Sequence, residues 1–358
     1  MSRSKSERAA AALDGRWARA LLARLPAWRG VLVLNYHRIG DPTGQPFNRE
    51  LWSATATGFD EHVAFLSRHA DVVGPGDLPS LAARRRGRHV MLTFDDGYRD
   101  NYELAYPLLR RHGLTATFFL ATGFLDRPHV AWWDEIAWMV RHAERDELAG
   151  GRWLPGVTPL RSTEERAVTT LVERFKTLPG EQTEEFLDWI AEGTGTGRCG
   201  AEHAAGMWLT WEEVREMRAG GMTIGGHTVA HPVLARLTTA EQEREITGCA
   251  RRLHEELGEE MRWFSYPVGS RDSFAAETRT ILRATGVALA FSFYGGHARF
   301  GTWDPLDVPR VYVGMGLDRR LLHAMVRAPA LFARPDPVRR FNARRSRGAR
   351  GPRSRPGA

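Results

Sequence analysis

Short apolar runs recur along the chain and alternate with longer segments in which apolar residues return every three or four positions. The runs predict seven strands, at 31–36, 90–94, 115–121, 222–224, 262–266, 287–293 and 308–313. Helical spacing is clearest at 101–112, 239–257 and 274–285. Strands that alternate with helices predict a parallel sheet with crossover helices, so the pattern indicates the α/β class.

One segment, about 126–206, interrupts this alternation and is predicted to be a largely helical insertion. It begins with an aromatic-rich piece in which Trp132, Ile136 and Met139 have helical spacing. This spacing favours a helix that packs on the rest of the fold. The alternative is that Trp132 or Trp133 is exposed and lines a substrate groove, where its ring can stack on a ligand.

Two adjacent carboxylates, Asp95 and Asp96, follow the second predicted strand and precede Gly97. In α/β folds the loops after the carboxyl ends of the strands carry the chemistry. Neighbouring residues at a strand end point in different directions, so one acid is a candidate cation ligand and the other a candidate proton acceptor. The alternative is an ordinary Asp-Asp-Gly surface turn.

Two histidines, His227 and His231, lie four residues apart, directly after a glycine pair. On one helical turn this spacing puts both imidazoles on one face, where they chelate a divalent transition metal. Pro232 disfavours a long helix, so we expect a single turn or a tight loop at a strand end. Two imidazoles and one aspartate leave coordination positions open for water and substrate, as in hydrolytic metal sites.

A polar cluster also ends the first predicted strand, where His37 follows Tyr36. His37 is a candidate general acid at the same rim of the fold, because imidazole is the side chain most often used to transfer protons near neutral pH. The alternative is a strand-end histidine that faces solvent.

The Thr-Phe-Asp-Asp-Gly motif at 93–97 and the histidine pair at 227–231, in this order and at this separation, resemble the polysaccharide deacetylase superfamily of metal-dependent carbohydrate deacetylases. The resemblance covers roughly 31–313 and implies a distorted (β/α)7 barrel. It also implies that Asp95 is the general base and that Asp96, His227 and His231 hold a divalent metal. Zn2+ is expected first, with Co2+, Ni2+ or Fe2+ as alternatives.

The chain departs from the family's third motif, Arg-x-Pro-Tyr, because Ser265 stands in place of the arginine that orients the base. Arg310 is the candidate replacement, and a purely structural role for this basic residue is the alternative. The backbone amide of Val268 stands where the motif's tyrosine amide helps to bind the oxyanion, a role that depends on the main chain and not on the side chain.

A second departure concerns the family's late Leu-x-x-His motif, which has no convincing match after His231. In the branch that deacetylates bacterial poly-N-acetylglucosamine exopolysaccharides, an early Tyr-His supplies the acid. Tyr36-His37 resembles that arrangement, so the resemblance is closest to this branch and implies that His37 protonates the departing amine.

The net charge of +7 does not by itself indicate a nucleic-acid partner. Much of the excess lies in an Arg-, Pro- and Gly-rich segment, 334–358, which composition predicts to be a disordered tail. Lysine occurs only at 5 and 176, so the arginine excess is typical of compositional bias and we expect no nucleic-acid partner. The segment 1–29 predicts an amphipathic helix that packs on the barrel or lies on a membrane surface, which leaves 30–325 as the catalytic domain.

The chain has only two cysteines and no recognisable secretory signal or bilayer-spanning apolar run. These features predict a cytoplasmic enzyme, with peripheral contact at the inner face of the membrane as an alternative. We therefore expect a saccharide or glycolipid substrate, with N-acetyl groups removed from N-acetylhexosamine units of a polysaccharide, an oligosaccharide or a lipid-linked precursor. The alternatives are a deformylase or O-deacetylase of a lipid-linked or nucleotide-linked sugar, and a catalytically inactive glycan-binding protein.

Overall fold

The computed structural model describes residues 27–83, 87–161 and 163–333, and its centre is a closed barrel of parallel strands. The strands are β1 (Val31–Tyr36), β2 (Arg38–Ile39), β3 (Trp52–Ala54), β4 (Asp71–Val72), β5 (His89–Phe94), β6 (Thr117–Leu120), β7 (Glu147–Leu148), β8 (Thr158–Pro159), β9 (Thr223–Gly226), β10 (Trp263–Ser265), β11 (Leu289–Ser292) and β12 (Val308–Tyr312). The ring runs β1, β12, β11, β10, β9, β6, β5 and closes where β5 pairs with β1. β4 adds to the first residues of β5, while β2 with β3 and β7 with β8 form two small separate sheets.

Helices surround this barrel. They span Ala56–His69, Leu78–Ala83, Tyr106–Arg111, Thr122–Asp126, Trp132–Arg141, Glu164–Phe175, Thr183–Thr194, Trp211–Ala219, Thr239–Leu257, Ala276–Ala284, Arg319–Arg327 and Pro329–Phe332. Short 3-10 turns lie at Arg49–Leu51, Pro75–Asp77, Gly180–Gln182, Ala201–Ala204 and Leu234–Arg236. Within the described ranges, no helix combines the length and the apolar character that crossing a membrane requires.

The core has two layers, because successive residues of a strand point to opposite faces of the sheet. Val31, Val33 and Met91 belong to a cluster that packs inside the barrel, whereas Leu32 and Leu34 belong to the larger cluster between the barrel and its helices. Further along the same interior face the side chains become polar: Asn35, Thr93 and Arg310 are fully buried there. The polar end of the barrel is its carboxyl end, where α/β barrels place their active sites.

The predicted (β/α)7 barrel is confirmed, and each of the seven predicted apolar runs overlaps a strand of the ring. The helix 239–257 has the predicted bounds, because Thr238 and Glu241 form a capping box at its start and Gly258 ends it with φ 70°. The prediction of a regular helix over 101–112 was wrong at its start, where a π-helical turn, Asn101–Ala105, precedes Tyr106–Arg111. Pro107 explains the irregularity, since it has no N–H to donate to the preceding turn.

The insertion 126–206 is largely helical, as predicted, and also contains the β7–β8 pair. At the two ends of the chain, the predicted segments can be compared with the structure only in part. Residues 27–29 of the predicted N-terminal helix are not helical, and Trp28 forms a bridge with Gly87. The remainder of that helix and the predicted disordered tail, 334–358, lie outside the described residues. The helix Arg319–Arg327 runs across the predicted domain boundary at 325.

Gly225→Ala is expected to lower the free energy of unfolding by about 1–3 kcal/mol, the usual cost of overpacking. An added Cβ would lie 2.6 Å from a ring carbon of Phe119 and 2.8 Å from the carbonyl oxygen of Trp263. Denaturant titration measures the effect. Gly76→Ala is the control, because its Cβ would have no heavy atom nearer than 4.0 Å, and a change within about 0.5 kcal/mol is expected there. Equal stability of the two variants would contradict the tight β9 packing.

Candidate metal centre

The three predicted metal ligands meet at the carboxyl ends of β5 and β9. Asp96 follows β5, while His227 and His231 lie in the loop after β9. Nε2 of His227 is 3.4 Å from Oδ1 of Asp96, and Nε2 of His231 is 3.5 Å from the same oxygen. All three residues are buried, and their candidate ligand atoms lie within 4.8 Å of one another. The fold therefore brings together the three side chains that the sequence singled out.

The two loops that carry these ligands have unusual backbone conformations. Asp96 (φ 76°), Thr228 (φ 68°) and His231 (φ 55°) occupy the left-handed region, which residues other than glycine rarely adopt. Each such residue costs of the order of 1–3 kcal/mol and persists only where its surroundings hold it. Of the two conformations considered for the histidine segment, the tight loop is therefore the one found.

Side-chain acceptors hold the histidine loop in place. Oγ1 of Thr228 accepts a hydrogen bond from the amide of His231 at 3.0 Å. Glu245, in the helix Thr239–Leu257, accepts hydrogen bonds from the amides of Val229 and Ala230, both at 2.9 Å. Burial raises the pKa of Glu245, and the two amides partly oppose this by stabilising the carboxylate. Sequence reasoning missed Glu245, because nothing in the helical pattern distinguishes it from the other glutamates of this helix.

The imidazoles are oriented by their surroundings. Nδ1 of His227 lies 2.7 Å from the carbonyl oxygen of Ser265, and donation to this oxygen leaves Nε2 with its lone pair towards Asp96. The ring of His231 packs against Trp133 with 4.4 Å between centroids. Burial lowers the pKa of His231 to about 3, so its ring is neutral at pH 7. A neutral imidazole is the form that binds a metal.

The donor set fits a divalent transition metal. Oδ1 of Asp96 is buried and accepts no hydrogen bond from the described residues, although it faces both imidazoles. Burial would raise the pKa of Asp96, but the two nearby histidines outweigh this effect and lower the pKa overall. A buried carboxylate oxygen in this situation is costly unless a cation meets it. One carboxylate oxygen and two imidazole nitrogens suit zinc and its neighbours in the first transition row.

Asp95, the predicted base, is held by a buried ion pair with Arg310. The guanidinium donates to both carboxylate oxygens, with Nη1 at 2.7 Å from Oδ1 and Nη2 at 2.8 Å from Oδ2. Asn35 and Ser265 also donate to Oδ2, at 3.1 Å and 3.3 Å. Burial would raise the pKa of Asp95, but Arg310 and His227 outweigh it and hold the pKa well below the usual range.

Arg310 thus reaches the predicted base from β12, although the family motif would place the arginine at Ser265. Its Nη2 also lies 2.8 Å from Oγ of Ser265, so the serine that replaces the motif arginine contacts the guanidinium. Arg310 has no exposed surface. The geometry agrees with the predicted replacement and gives the buried guanidinium a carboxylate partner.

The other two predicted catalytic groups lie on loops at the same end of the barrel. His37 follows β1, where Oγ of Ser53 accepts from its amide at 3.0 Å and Asn101 donates to its carbonyl at 2.7 Å. Burial lowers the pKa of His37, and the carboxylates of Asp96 and Asp95 oppose this effect. Val268 follows β10 and has φ 63°, a left-handed conformation that resembles those of the ligand loops. The catalytic roles of both residues remain predictions.

The insertion contacts the metal site through Trp133, which is buried against the second histidine. Nε1 of Trp133 donates to Oη of Tyr98 at 2.7 Å, and Tyr98 donates to Oδ2 of Asp134 at 2.7 Å. Burial raises the pKa of Asp134 to about 6. Trp132 stacks on Phe175 of the insertion, with 4.1 Å between ring centroids. Both tryptophans therefore pack within the protein, as the helical spacing predicted, and the Tyr98–Asp134 contact was not visible in the sequence.

Comparison with known proteins points to one family. A family model described as polysaccharide deacetylase matches residues 82–145 and 180–290. The Bacillus subtilis (strain 168) protein described as putative polysaccharide deacetylase YxkH is 35% identical over 80 residues, which are 22% of this chain and 29% of that protein. The match thus spans less than a third of the relative's length.

Solved structures share the fold. The Streptococcus pyogenes deacetylase PplD in complex with acetate has a TM-score of 0.54 at 17% identity, over 86% of this chain and 99% of that one. IcaB from Ammonifex degensii has a TM-score of 0.52 at 21% identity, over 84% of this chain and 99% of that one. At these identities the likeness establishes the architecture.

Arg310→Met is expected to lower the free energy of unfolding by about 3–5 kcal/mol at neutral pH, because Asp95 would stay buried without its counter-ion. The native pair keeps the pKa of Asp95 below its unfolded value, so its contribution is present above about pH 3.9 and is lost as the pH falls towards the folded-state pKa. The difference between wild type and variant should therefore shrink in acid, which denaturant titrations at several pH values measure.

Arg279→Met is the control for this variant. Arg279 pairs with Asp304 and Asp307 but is 25% exposed, so a loss of about 1 kcal/mol or less is expected. An Arg310→Met protein as stable as wild type at neutral pH would contradict the importance of the buried pair.

Glu245→Ala is expected to weaken the affinity for a divalent metal about 10- to 100-fold, the usual effect of losing a group that orients metal ligands. The amides of the histidine loop would lose their acceptor, and the left-handed conformation would no longer be held. Competition with a chromogenic chelator measures the dissociation constant. Glu245→Gln keeps an oxygen acceptor and should retain most of the affinity, and the exposed Glu243→Ala on the same helix should retain all of it. Unchanged metal affinity in Glu245→Ala would refute the role of Glu245 in holding the histidine loop for metal binding.

Proposed function

The chain belongs to the polysaccharide deacetylase family, and we propose that it removes N-acetyl groups from N-acetylhexosamine units of a glycan. Family membership makes it a hydrolase of carbon–nitrogen bonds, and the predicted family is confirmed. The observation that carries the proposal is the position of an ionised, arginine-bound Asp95 beside the buried cluster of Asp96, His227 and His231. Two carboxylates in different environments are available for two different tasks.

The metal dependence of the reaction is part of the proposal. Asp96, His227 and His231 would hold the ion, with zinc as the first choice and cobalt, nickel or iron(II) as alternatives. When bound, such a cation supplies Lewis-acid chemistry that polarises an acyl carbonyl. The neutral ring of His231 and the orientation of His227 support this assignment, since each imidazole presents Nε2 to the same carboxylate oxygen.

Asp95 is assigned the role of general base. Its lowered pKa keeps it ionised at neutral pH, so it is free to accept the proton of the attacking water. Oδ2 of Asp95 lies 3.9 Å from Nε2 of His227, which puts the proton acceptor next to the ligand cluster. Arg310 donates a hydrogen bond to each carboxylate oxygen of Asp95 and so fixes the orientation of the carboxylate.

His37 is assigned the role of general acid, and the amide of Val268 that of oxyanion donor. Burial lowers the pKa of His37, while the carboxylates of Asp96 and Asp95 oppose this effect and so favour the protonated ring that a general acid needs. Nδ1 of His37 is buried and accepts or donates no hydrogen bond among the described residues. The hydrogen-bonding capacity of this ring nitrogen is therefore not used by the described residues.

The substrate is proposed to be a polysaccharide, an oligosaccharide or a lipid-linked glycan precursor, and the place of action the cytoplasm, with or without peripheral contact with the membrane. We assign no nucleic-acid partner. The missing motif arginine was the feature that favoured an inactive glycan-binding protein, and the contact of Arg310 with Asp95 removes that support. A deformylase or O-deacetylase would use the same residues, so an activity assay is needed to identify the acyl group that is removed.

Metal-reconstituted wild type is expected to release acetate from an N-acetylglucosamine oligomer, and Asp95→Asn to lose at least about 1,000-fold in turnover because it lacks the proton acceptor. Asp95→Asn should still bind metal, whereas His231→Ala should lose both metal and turnover. Acetate release is followed enzymatically and metal content by elemental analysis.

An Asp95→Asn variant with wild-type turnover would refute the assignment of the base. Metal-loaded wild type that releases formate, or acetate only from an O-acetyl ester, would move the function to the corresponding alternative.

A further inference from the structure

We propose that Tyr312 forms a binding platform for the sugar ring adjoining the one that is deacetylated. This inference rests on the proposed function and adds a substrate subsite to it. Tyr312 is the last residue of β12, two positions beyond Arg310, so the alternation of the strand directs both side chains to the barrel interior. Arg310 is fully buried, whereas Tyr312 is 44% exposed at the mouth.

The sheet register places Tyr312 next to the proposed catalytic groups. Tyr312 pairs with Asn35 of β1, and Nδ2 of Asn35 donates to Oδ2 of Asp95 at 3.1 Å. Phe293 contacts both Tyr312 and His37, with ring centroids 6.0 Å from Tyr312 and 5.6 Å from His37. Tyr312 is therefore connected to the proposed acid through the ring of Phe293.

The ring of Tyr312 is held in a fixed position. Its Oη donates to the carbonyl oxygen of Glu50 at 2.8 Å, and Phe293 packs against it at an interplanar angle of 62°. Gly314 passes so close that an added Cβ would lie 2.6 Å from Cε1 of the ring. A ring fixed in this way loses little conformational entropy when a ligand stacks on it.

Tyr312 has an exposed apolar neighbour in Met315, three residues further along the chain. Only Val157, Tyr312, Met315 and Leu331 are large exposed hydrophobic residues in the described part of the chain, and two of these four lie together at the end of β12. A pyranose ring has an apolar face of C–H groups that stacks on aromatic rings, while its hydroxyl groups stay in water. The chemistry at this point of the mouth therefore matches a sugar ring.

The difference in burial decides which sugar ring binds. The sugar that reacts must reach the buried carboxylates of Asp95 and Asp96, whereas a sugar on Tyr312 lies at the exposed mouth of the barrel. It is therefore the neighbouring sugar of the same chain. A substrate with one sugar would leave the platform empty, so the platform favours oligosaccharides and polysaccharides over a lipid-linked monosaccharide.

The test measures binding and turnover separately. Tyr312→Ala in the Asp95→Asn background should raise the dissociation constant for an N-acetylglucosamine tetramer about tenfold, as expected for a lost stacking contact. In the otherwise wild-type protein the same change should raise KM for the tetramer by a similar factor, leave kcat within about twofold, and leave kcat/KM for the N-acetylglucosamine monomer unchanged. Isothermal titration calorimetry and acetate release provide the two readouts.

Two further variants separate stacking from general damage. Tyr312→Phe keeps the ring and should stay close to wild type, whereas Gly314→Ala displaces the ring and should follow Tyr312→Ala. Leu331→Ala, an exposed apolar residue on the last described helix, should change nothing. An unchanged dissociation constant in Tyr312→Ala, or equal losses on tetramer and monomer, would overturn the platform. Tight tetramer binding without acetate release by metal-loaded wild type would refute the proposed deacetylation and leave the platform standing.

Discussion

The buried ion pair between Arg310 and Asp95 is the interaction on which the polar end of the barrel depends. A guanidinium without exposed surface and an adjacent carboxylate are each costly to bury, and each is tolerated because the other is present. The pair also ties four strands together, because Arg310 belongs to β12, Asp95 follows β5, and Asn35 and Ser265 contribute hydrogen bonds from β1 and β10. The contacts that link these four strands therefore also fix the orientation of the proposed base.

The metal ligands are held by a different kind of constraint. Three residues of the ligand loops adopt left-handed backbone conformations, so the loops depend on contacts from outside their own sequence. Glu245 supplies such a contact from the helix behind the loop, and Trp133 supplies another from the insertion. The insertion is consequently part of the support of the site and is not a separate appendage to the barrel.

The parts of this molecule that the sequence predicts well are local. Most ring strands are buried apolar runs, such as β1, in which all six residues are buried, and the two ligand motifs are each contained within five residues. The contacts that sequence reasoning missed are between distant segments: Asn35 to Asp95, Glu245 to the histidine loop, and Trp133 to His231. For Arg310 the sequence left two roles open, replacement of the motif arginine or a purely structural role. Its contact with Asp95 depends on β12 lying beside β1 in a closed ring, and no local pattern encodes ring closure.

Ring closure also has a consequence in time. Asp95 and its counter-ion are 215 residues apart in the chain, so a ribosome that adds about 5–20 residues per second needs roughly 10 to 40 s to deliver the second after the first. During that interval the nascent chain carries the proposed base without the guanidinium that neutralises it, and until β9 emerges it carries only one of the three proposed metal ligands, Asp96. The proposed site is therefore complete only after β12 has been made, and a chain that ends before β12 lacks both the last strand of the barrel and the counter-ion of the proposed base.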